Sequence, residues 1–307
     1  MPSCAFIFPG QGSQSINMLA AFAADYPQIS TTFAQASHVL GYDLWELVKN
    51  GPQDTLNDTR YTQPAILTAS IALYRIWCDQ QGTAPIALAG HSLGEYSAFV
   101  AADALDFQVA VGLVAKRGEL MQQAVPEGIG AMAAVLGLSD AEVINICAQA
   151  AEGEVLSAVN FNAPGQVVIA GHKTALTRAL QRVKEEGKRA IILPVSVPSH
   201  CALMQSAAEK LAAELNTITI KVPRIPVLSN VDAQAHHTQE AIKDSLIKQL
   251  SSPVLWVQTI NNLAKQTHTF IECGPGKVLT GLNKRINAEL NTYPLCEPDL
   301  FHAALNI

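Results

Sequence analysis

A serine stands between two glycines in the stretch AGHSLGEY, directly after the apolar run PIALA. A turn that lifts a side chain above the end of a strand brings the flanking backbone so close that glycine is needed on both sides. Gly90 and Gly94 lie two residues before and after Ser92. The spacing predicts a strand, a nucleophile elbow and a helix, whose first free N–H, that of Leu93, can stabilise negative charge on a substrate oxygen.

A serine nucleophile needs a base, and the eight histidines are the candidates. In an elbow architecture the base follows the nucleophile along the chain, which disfavours His38 and His91. His200 follows the run IILPVSV, on a loop that leaves a predicted strand, where catalytic groups collect. We therefore favour His200 as the base and keep His172 and His268 as alternatives.

No acidic residue is an obvious partner for this histidine. Asp103, Asp106 and Asp140 follow the elbow, but each is better explained as a helix cap or a surface charge. A main-chain carbonyl could orient the histidine instead. A cysteine nucleophile at Cys201 is disfavoured, because this neighbour of His200 is better explained as a small buried residue.

Composition excludes several classes of function. The 307 residues are 49% hydrophobic and 15% charged, enough for one large domain or two smaller ones. No apolar run approaches a membrane span, and the amino terminus lacks the features of a signal peptide. The six scattered cysteines predict reduced thiols and no metal site, and the net charge of −6 argues against nucleic acid as a partner. We expect a soluble, cytoplasmic monomer.

The elements that must position these residues follow an α/β pattern. Continuous apolar runs predict buried strands of a parallel sheet at 4–8, 85–90, 225–230 and 267–273. Apolar residues at helical spacing predict helices between them, including 62–80 and 106–125.

The middle of the chain has a different order of predicted strands and helices. Its predicted elements are a strand at 131–138, a helix at 139–151 capped by Ser139, strands at 154–160 and 165–171 joined by the turn FNAP, a helix ending at Gly187 and a strand at 189–197. This βαββαβ order is typical of a ferredoxin-like unit. The expected fold is α/β, with an α/β-hydrolase-like parallel-sheet body (1–127 and 197–307) and an inserted ferredoxin-like subdomain (128–196).

Seven short segments occur in a fixed order along the chain. None is distinctive alone, but the whole set is. They are FPGQGSQ (8–14), YTQPA (61–65), GHSLGEY (90–96), KRGELM (116–121), NFNAPGQVVIAG (160–171), PVSVPSH (194–200) and ECGPGKVLTGL (272–282). Together they resemble the malonyl-CoA:acyl carrier protein transacylases of the bacterial type. The resemblance extends to about residue 285, whereas the segment from about Leu290 onward carries no assignable motif.

The resemblance implies a serine acyltransferase of fatty acid biosynthesis. Malonyl would pass from malonyl-CoA to the phosphopantetheine thiol of holo acyl carrier protein, by a ping-pong mechanism through a malonyl-serine ester. Ser92 would be the nucleophile and His200 its base, oriented by the main-chain carbonyl of Gln249. Backbone N–H groups of Gln11 and Leu93 would form the oxyanion hole. The coenzyme A thioester is a substrate, and no cofactor or metal is implied.

Arg117 is the residue on which specificity should depend. The matching arginine of the family binds the free malonyl carboxylate, and a planar guanidinium suits this task because it donates two parallel hydrogen bonds. Acetyl-CoA would leave the cation unpaired, which discriminates strongly against that substrate. Gln63, Met121 and Asn160 match other pocket positions of the family less closely.

Two other enzyme classes share the serine motif. A hydrolase such as a thioesterase admits water to the acyl-enzyme, whereas a transferase excludes water until a thiol arrives. Arg117 and the inserted βαββαβ unit favour transfer. Leu93 and the residues VPSH at 197–200 resemble the free-standing fatty-acid enzyme more than an acyltransferase of a polyketide pathway. A non-catalytic scaffold is disfavoured because Ser92, His200 and the other implied site residues are all present.

Coenzyme A and acyl carrier protein are both anionic, so an acidic enzyme needs local positive charge to attract them. Basic stretches at 173–189 and 277–285 could supply it, although a solvated helix face is the simpler explanation for any single residue. If they guide the carrier to the site, its KM should rise with ionic strength.

Overall fold

The computed structural model describes residues 3–195 and 197–307. Its strands are β1 (Cys4–Phe8), β2 (Pro85–Gly90), β3 (Gly130–Leu136), β4 (Leu156–Ala163), β5 (Gln166–His172), β6 (Arg189–Ile192), β7 (Val227–Leu228), β8 (Thr269–Glu272) and β9 (Asn291–Pro294). Its α-helices are α1 (Ala20–Ala23), α2 (Pro27–Leu40), α3 (Leu44–Asn50), α4 (Gln53–Asn57), α5 (Thr59–Asp79), α6 (Gly94–Ala101), α7 (Phe107–Ala124), α8 (Asp140–Ala151), α9 (Lys173–Glu185), α10 (Gln205–Thr217), α11 (Gln239–Gln249), α12 (Trp256–Ala264), α13 (Val278–Ile286) and α14 (Pro298–Leu305).

A five-stranded parallel sheet forms the centre of the body, in the order β7-β2-β1-β8-β9. The four strands predicted from continuous apolar runs are confirmed, and every residue of β1 is buried. Because parallel strands all end at one edge of the sheet, the loops after β1, β2, β7 and β8 converge there. That edge is where the functional side chains have to be sought.

The carboxyl-terminal segment completes this body, although it carries no motif. β9 pairs in parallel with β8 at the sheet edge, and its half-buried residues NTYP show neither an apolar run nor clear alternation. Phe301 of α14 is fully buried and packs edge-on against Phe22 and Trp77. The segment therefore contributes one strand and part of the hydrophobic core.

A separate four-stranded antiparallel sheet has the order β4-β5-β3-β6. With α8 and α9 its elements follow the predicted order βαββαβ, and the two helices share a hydrophobic core with the sheet. Ser139 caps α8 through a reciprocal pair of hydrogen bonds with Glu142. Gly187 follows α9 with a positive φ of 68°, which ends the helix as predicted.

Most strand boundaries differ from the prediction by one or two residues, but the ends of β4 and β6 differ by more. β4 continues through the supposed turn FNAP to Ala163, because its backbone also bonds to the body: the N–H of Phe161 donates to the carbonyl of Val254 at 3.0 Å. β6 ends at Ile192 rather than at residue 197, since Pro194 has no N–H to continue the ladder. Ser196, which the prediction placed in that strand, lies outside the described residues.

The two sheets are joined at this seam by main-chain pairing. Val254 donates to the carbonyl of Val159 at 2.8 Å and forms a parallel bridge with Asn160. A pocket opens between the carboxyl edge of the parallel sheet and the antiparallel sheet. In the described part of the chain no helix is both long enough and apolar enough to cross a membrane.

Candidate active site

The glycines around Ser92 are required by close backbone contacts. Ser92 follows β2 directly after His91 and has a left-handed φ of 51°. A Cβ on Gly90 would lie 1.9 Å from the carbonyl carbon of Gly94, and one on Gly94 would lie 2.0 Å from the carbonyl oxygen of Phe8. Only glycine allows β1, β2 and α6 to meet this closely, so the turn presents the Ser92 side chain at the sheet edge.

His200 lies within hydrogen-bond distance of the serine. Its Nε2 is 2.8 Å from Ser92 Oγ, and its Nδ1 is 2.8 Å from the main-chain carbonyl oxygen of Gln249. A carbonyl only accepts, so Nδ1 carries the proton and Nε2 is free to accept from the serine hydroxyl. The backbone N–H of His200 also donates to the carbonyl of Leu250 at 2.9 Å, which ties the histidine loop to the end of α11.

The alternative bases lie elsewhere. His172 Nδ1 accepts the N–H of Val155 in the antiparallel sheet. His268 precedes β8 and so lies at the opposite end of the parallel sheet from Ser92. His91, which chain order disfavours, does line the cavity, but its Nε2 is 2.8 Å from Asn162 Oδ1.

The three aspartates do not contact the histidine, in agreement with their interpretation as caps or surface charges. Asp106 caps α7 by accepting the N–H groups at its start, and Asp103 forms an exposed ion pair with Arg224. Asp140 is the first residue of α8. The acceptor at Nδ1 is therefore a main-chain carbonyl.

Burial keeps the His200 imidazole neutral. The side chain is 3% exposed, and desolvation, with a smaller contribution from the positive charge of Arg117, lowers its pKa to about 3. A neutral imidazole beside a hydroxyl has the protonation state that a general base requires. Cys201 is also buried, and burial raises its thiol pKa to about 11, so it is a poor nucleophile.

A buried arginine lies beside these two residues. Arg117 of α7 is 1% exposed, and its guanidinium donates to the side-chain oxygens of Gln63 at 2.8 Å and Gln249 at 2.9 Å. One nitrogen lies 3.4 Å from Ser92 Oγ, and the group stands 5.5 Å from the ring centre of Tyr96.

The Arg117 charge has no anionic partner. In residues 3–195 and 197–307 no carboxylate forms an ion pair with it, and its Nε has no hydrogen-bond partner. Burial consequently lowers its pKa. An uncompensated buried cation costs several kcal/mol of stability, and an anionic ligand would repay this cost. The site thus combines a serine hydroxyl beside a neutral imidazole with an attraction for a carboxylate or phosphate.

A cavity of about 100 Å³ brings most of the predicted residues together. Its walls include Gln11, Ser92, Leu93, Arg117, Met121, Asn160 and His200. Gln63 and Gln249 do not line the cavity and instead lie behind Arg117. Met132 and Leu193 of the antiparallel-sheet segment complete the wall, so the cavity lies between the two sheets.

Two backbone N–H groups are available at the cavity. Within the described residues, the N–H groups of Leu93 and Gln11 donate no hydrogen bond, whereas the N–H of Ser92 is taken by a side chain. The loop bearing Gln11 comes close because Gly10 has no side chain: a Cβ there would lie 2.4 Å from the carbonyl oxygen of His91. Both N–H groups suit an oxyanion that develops next to Ser92 Oγ.

Sequence reasoning missed two buried polar residues that support the elbow. Asn230 accepts the N–H of Ser92 at 2.7 Å and donates to the carbonyl of Gly90 at 2.6 Å. Glu95 accepts from the N–H of Asn230 at 3.2 Å and from the side chain of Gln249 at 2.7 Å. A signal for Asn230 was present, since it ends the predicted strand 225–230 at the functional edge of a parallel sheet.

In the described part of the chain, no three or more histidine, cysteine, aspartate or glutamate side chains are grouped so that they could hold a metal ion.

The comparison with protein families identifies the class. The family model described as acyl transferase domain matches residues 5–292. The chain therefore belongs to the acyl transferase family.

Individual relatives are similar to this chain over nearly its whole length and are more specific than the family model. The malonyl CoA-acyl carrier protein transacylase of Escherichia coli (strain K12) is 56% identical over 100% of both chains, and that of Bacillus subtilis is 45% identical over 99% of this chain and 97% of its own. The solved structure of the Coxiella burnetii enzyme of the same name superposes with a TM-score of 0.98 at 49% identity, covering 99% of this chain and 97% of its own. A malonyl-transacylase in complex with a type II PKS acyl-carrier protein has the same TM-score and identity, with 99% of both chains covered.

The Gly94→Ala substitution should disable the site. Because the new Cβ would overlap the carbonyl of Phe8, the elbow must open, and labelling of Ser92 by a fluorophosphonate should slow by about 100-fold, as for a displacement of about 1 Å. Intact mass against time measures this rate. Gly281→Ala is the matched control: nothing lies within 4 Å of its Cβ, and alanine should stabilise α13 by about 1 kcal/mol. Equal labelling of both variants would contradict the steric argument.

Proposed function

We propose that this chain transfers malonyl from malonyl-CoA to the phosphopantetheine thiol of holo acyl carrier protein, and so supplies fatty acid biosynthesis. The observation that carries the proposal is the pairing of Ser92 and a neutral His200 with a buried Arg117 that has no anionic partner. Relatives named malonyl CoA-acyl carrier protein transacylase, aligned over nearly the whole chain, support the same assignment.

The first half-reaction acylates the serine. His200 Nε2 accepts the hydroxyl proton as Ser92 Oγ attacks the thioester carbonyl of malonyl-CoA, and the N–H groups of Leu93 and Gln11 stabilise the oxyanion. Collapse breaks the carbon–sulfur bond, the imidazolium returns its proton to the departing thiolate, and malonyl remains as an ester on Ser92.

The second half-reaction regenerates the serine. The phosphopantetheine thiol of the carrier gives its proton to His200 and attacks the ester carbonyl, after which Ser92 leaves and regains the proton. In both halves the imidazolium is stabilised by the Gln249 carbonyl at Nδ1. The dipole of this carbonyl orients the histidine and stabilises its charge, a task for which other serine enzymes use a carboxylate.

Arg117 supplies selection for malonyl. One guanidinium nitrogen lies 3.4 Å from Ser92 Oγ, so an acyl group attached to that oxygen would lie beside the guanidinium. The malonyl carboxylate would neutralise the buried charge, which acetyl cannot do. Gln63 holds the guanidinium from behind, while Met121 and Asn160 shape the cavity wall.

Three further assignments belong to the proposal. The body is α/β-hydrolase-like, supported by the left-handed serine between β2 and α6. It comprises 1–127 and 197–307, with 128–196 as a ferredoxin-like subdomain, supported by the antiparallel order β4-β5-β3-β6. The chain acts as a cytoplasmic monomer, with which six free cysteines are consistent.

Carrier docking by basic residues is part of the same proposal. Arg178 already forms an ion pair with Glu154, and Arg285 donates a hydrogen bond to Gln166, so neither is wholly free for a partner.

Transfer to a carrier of a polyketide pathway is the second candidate function, since one similar solved structure holds a type II PKS acyl-carrier protein.

Intact mass after brief incubation with malonyl-CoA tests the function directly. The protein should gain one malonyl group that persists alone and moves to holo acyl carrier protein when this is added, because water is excluded until the thiol arrives. Ser92→Ala should gain none. Rapid release of free malonate without carrier would indicate a hydrolase, and transfer restricted to polyketide carriers would favour the second candidate.

Arg117→Ala should lower the malonyl rate by about 100-fold or more while improving acetyl transfer relative to malonyl, since an ion-paired carboxylate contributes several kcal/mol. Competing malonyl-CoA and acetyl-CoA, with products resolved by mass, measure the ratio. Arg75→Ala is the matched control, because this half-buried arginine bonds Thr32 and Gln35 away from the site. An unchanged malonyl preference in Arg117→Ala would refute the carboxylate-binding role.

Titration of His200 should not change the acylation rate between pH 5 and pH 8. The pKa of His200 is lowered from 6.5 to about 3, so the base stays unprotonated across this range. The unfolded chain does take up the proton near pH 6.5, so this residue destabilises the fold progressively as pH falls from 6.5 toward 3. Single-turnover acylation by the Glu95→Gln variant, followed by intact mass, tests this expectation without interference from Glu95, whose pKa burial raises to about 7. A loss of rate centred near pH 6.5 in that variant would contradict it.

A further inference from the structure

Both main-chain polar groups of Ser92 are held by side chains from distant elements. Its N–H donates to Asn230, just after β7, and its carbonyl accepts from the side chain of Gln249, the last residue of α11, at 3.0 Å. These partners lie 138 and 157 residues away in the chain. A left-handed serine costs about 1–2 kcal/mol and persists only where its surroundings hold it.

One oxygen atom joins these two supports. Oε2 of Glu95, in the first turn of α6, accepts both from the backbone N–H of Asn230 and from the side-chain amide of Gln249. Glu95 is fully buried, and its other oxygen has no hydrogen-bond partner among the described residues. The backbone N–H of Glu95 donates to the Ser92 carbonyl at 3.1 Å, but its side chain forms no hydrogen bond with Ser92 or His200 among the described residues. Instead, the side chain bonds to the two residues that hold the serine main chain.

The same network reaches the base and the cation. The Gln249 amide donates to Glu95 while its oxygen accepts from Arg117, and its main-chain carbonyl orients His200. The Glu95 carboxylate thus acts on Arg117 only through an intervening amide. Since it does not bond to the guanidinium, it does not neutralise the charge that would attract the substrate carboxylate.

We propose that Glu95 is a positioning residue of the acyl transfer, acting through Asn230 and Gln249 to keep Ser92 Oγ at proton-transfer distance from His200. This inference rests on the proposed function. If Asn230 and Gln249 are released together, the elbow can relax, and a displacement of about 1 Å costs roughly 100-fold in rate. Malonyl binding should change less than the rate, because Arg117 keeps its bond to Gln63 even if its bond to Gln249 weakens.

Glu272 provides a matched control. It too is a fully buried glutamate at the carboxyl edge of the parallel sheet, at the end of β8. It accepts the N–H groups of Leu279 and Thr280 at the start of α13, away from the cavity. Loss of either carboxylate should destabilise the fold, but only loss of Glu95 should disturb the elbow.

The experiment compares single-turnover acylation by malonyl-CoA in wild type, Glu95→Ala, Glu95→Gln and Glu272→Ala, each corrected for its folded fraction. Glu95→Ala should acylate about 100-fold more slowly with a smaller change in KM, as the displacement argument requires. Glu95→Gln should recover most of the rate, because its amide oxygen can accept both hydrogen bonds. Glu272→Ala should lose thermal stability but keep the wild-type rate.

The outcomes separate the two levels of inference. Absence of a malonyl adduct in wild type would overturn the proposed function itself. A wild-type rate in Glu95→Ala, or equal losses in Glu95→Ala and Glu272→Ala, would overturn the positioning role alone. If Glu95→Ala does not fold, Glu95→Asp keeps a carboxyl group but is one methylene too short to reach both partners. A tenfold or larger loss supports the role, and an unchanged rate overturns it.

Discussion

The site depends on one steric constraint: β1, β2 and the start of α6 come into backbone contact at Gly90 and Gly94. A methyl group at either glycine would lie about 2 Å from main-chain atoms, so the serine between them is forced into a left-handed turn. The cost of that turn is met by side chains that arrive from the far end of the chain. The strained residue is therefore stable only in the completed fold, which links assembly of the two halves of the body to formation of the nucleophile.

Electrostatics at the site follow from burial rather than from paired charges. A neutral imidazole oriented by a carbonyl and a guanidinium held by two amides leave the cavity with one positive charge that is not neutralised. Because carboxylates are absent from direct contact with Arg117 and His200 within the described residues, neither group is drawn away from a ligand. The arrangement stores unfavourable free energy in the free protein that an anionic substrate can release.

Much of this could be predicted from the sequence, because the determinants are local. Glycine spacing around Ser92 defines the elbow, and continuous apolar runs mark four of the parallel strands. β9 was not predicted, because a short edge strand that is only partly buried has no periodic pattern. The predicted range of β4 was too short, because pairing with Val254 fixes its last residues. Glu95 and Asn230 could not be assigned roles, since their partners lie up to 154 residues away and only folding brings them together.

The seam between the two sheets has a consequence for how such a protein can evolve. Ser92 reaches the cavity from the parallel sheet, while Met132, Asn160 and Leu193 line it from the antiparallel side. The two sides are held in register by backbone bonds at Val254, which do not depend on side-chain identity. Selection can thus change the side chains of the antiparallel side, and with them the range of acyl groups admitted, while the chemistry of the parallel-sheet side is inherited unaltered.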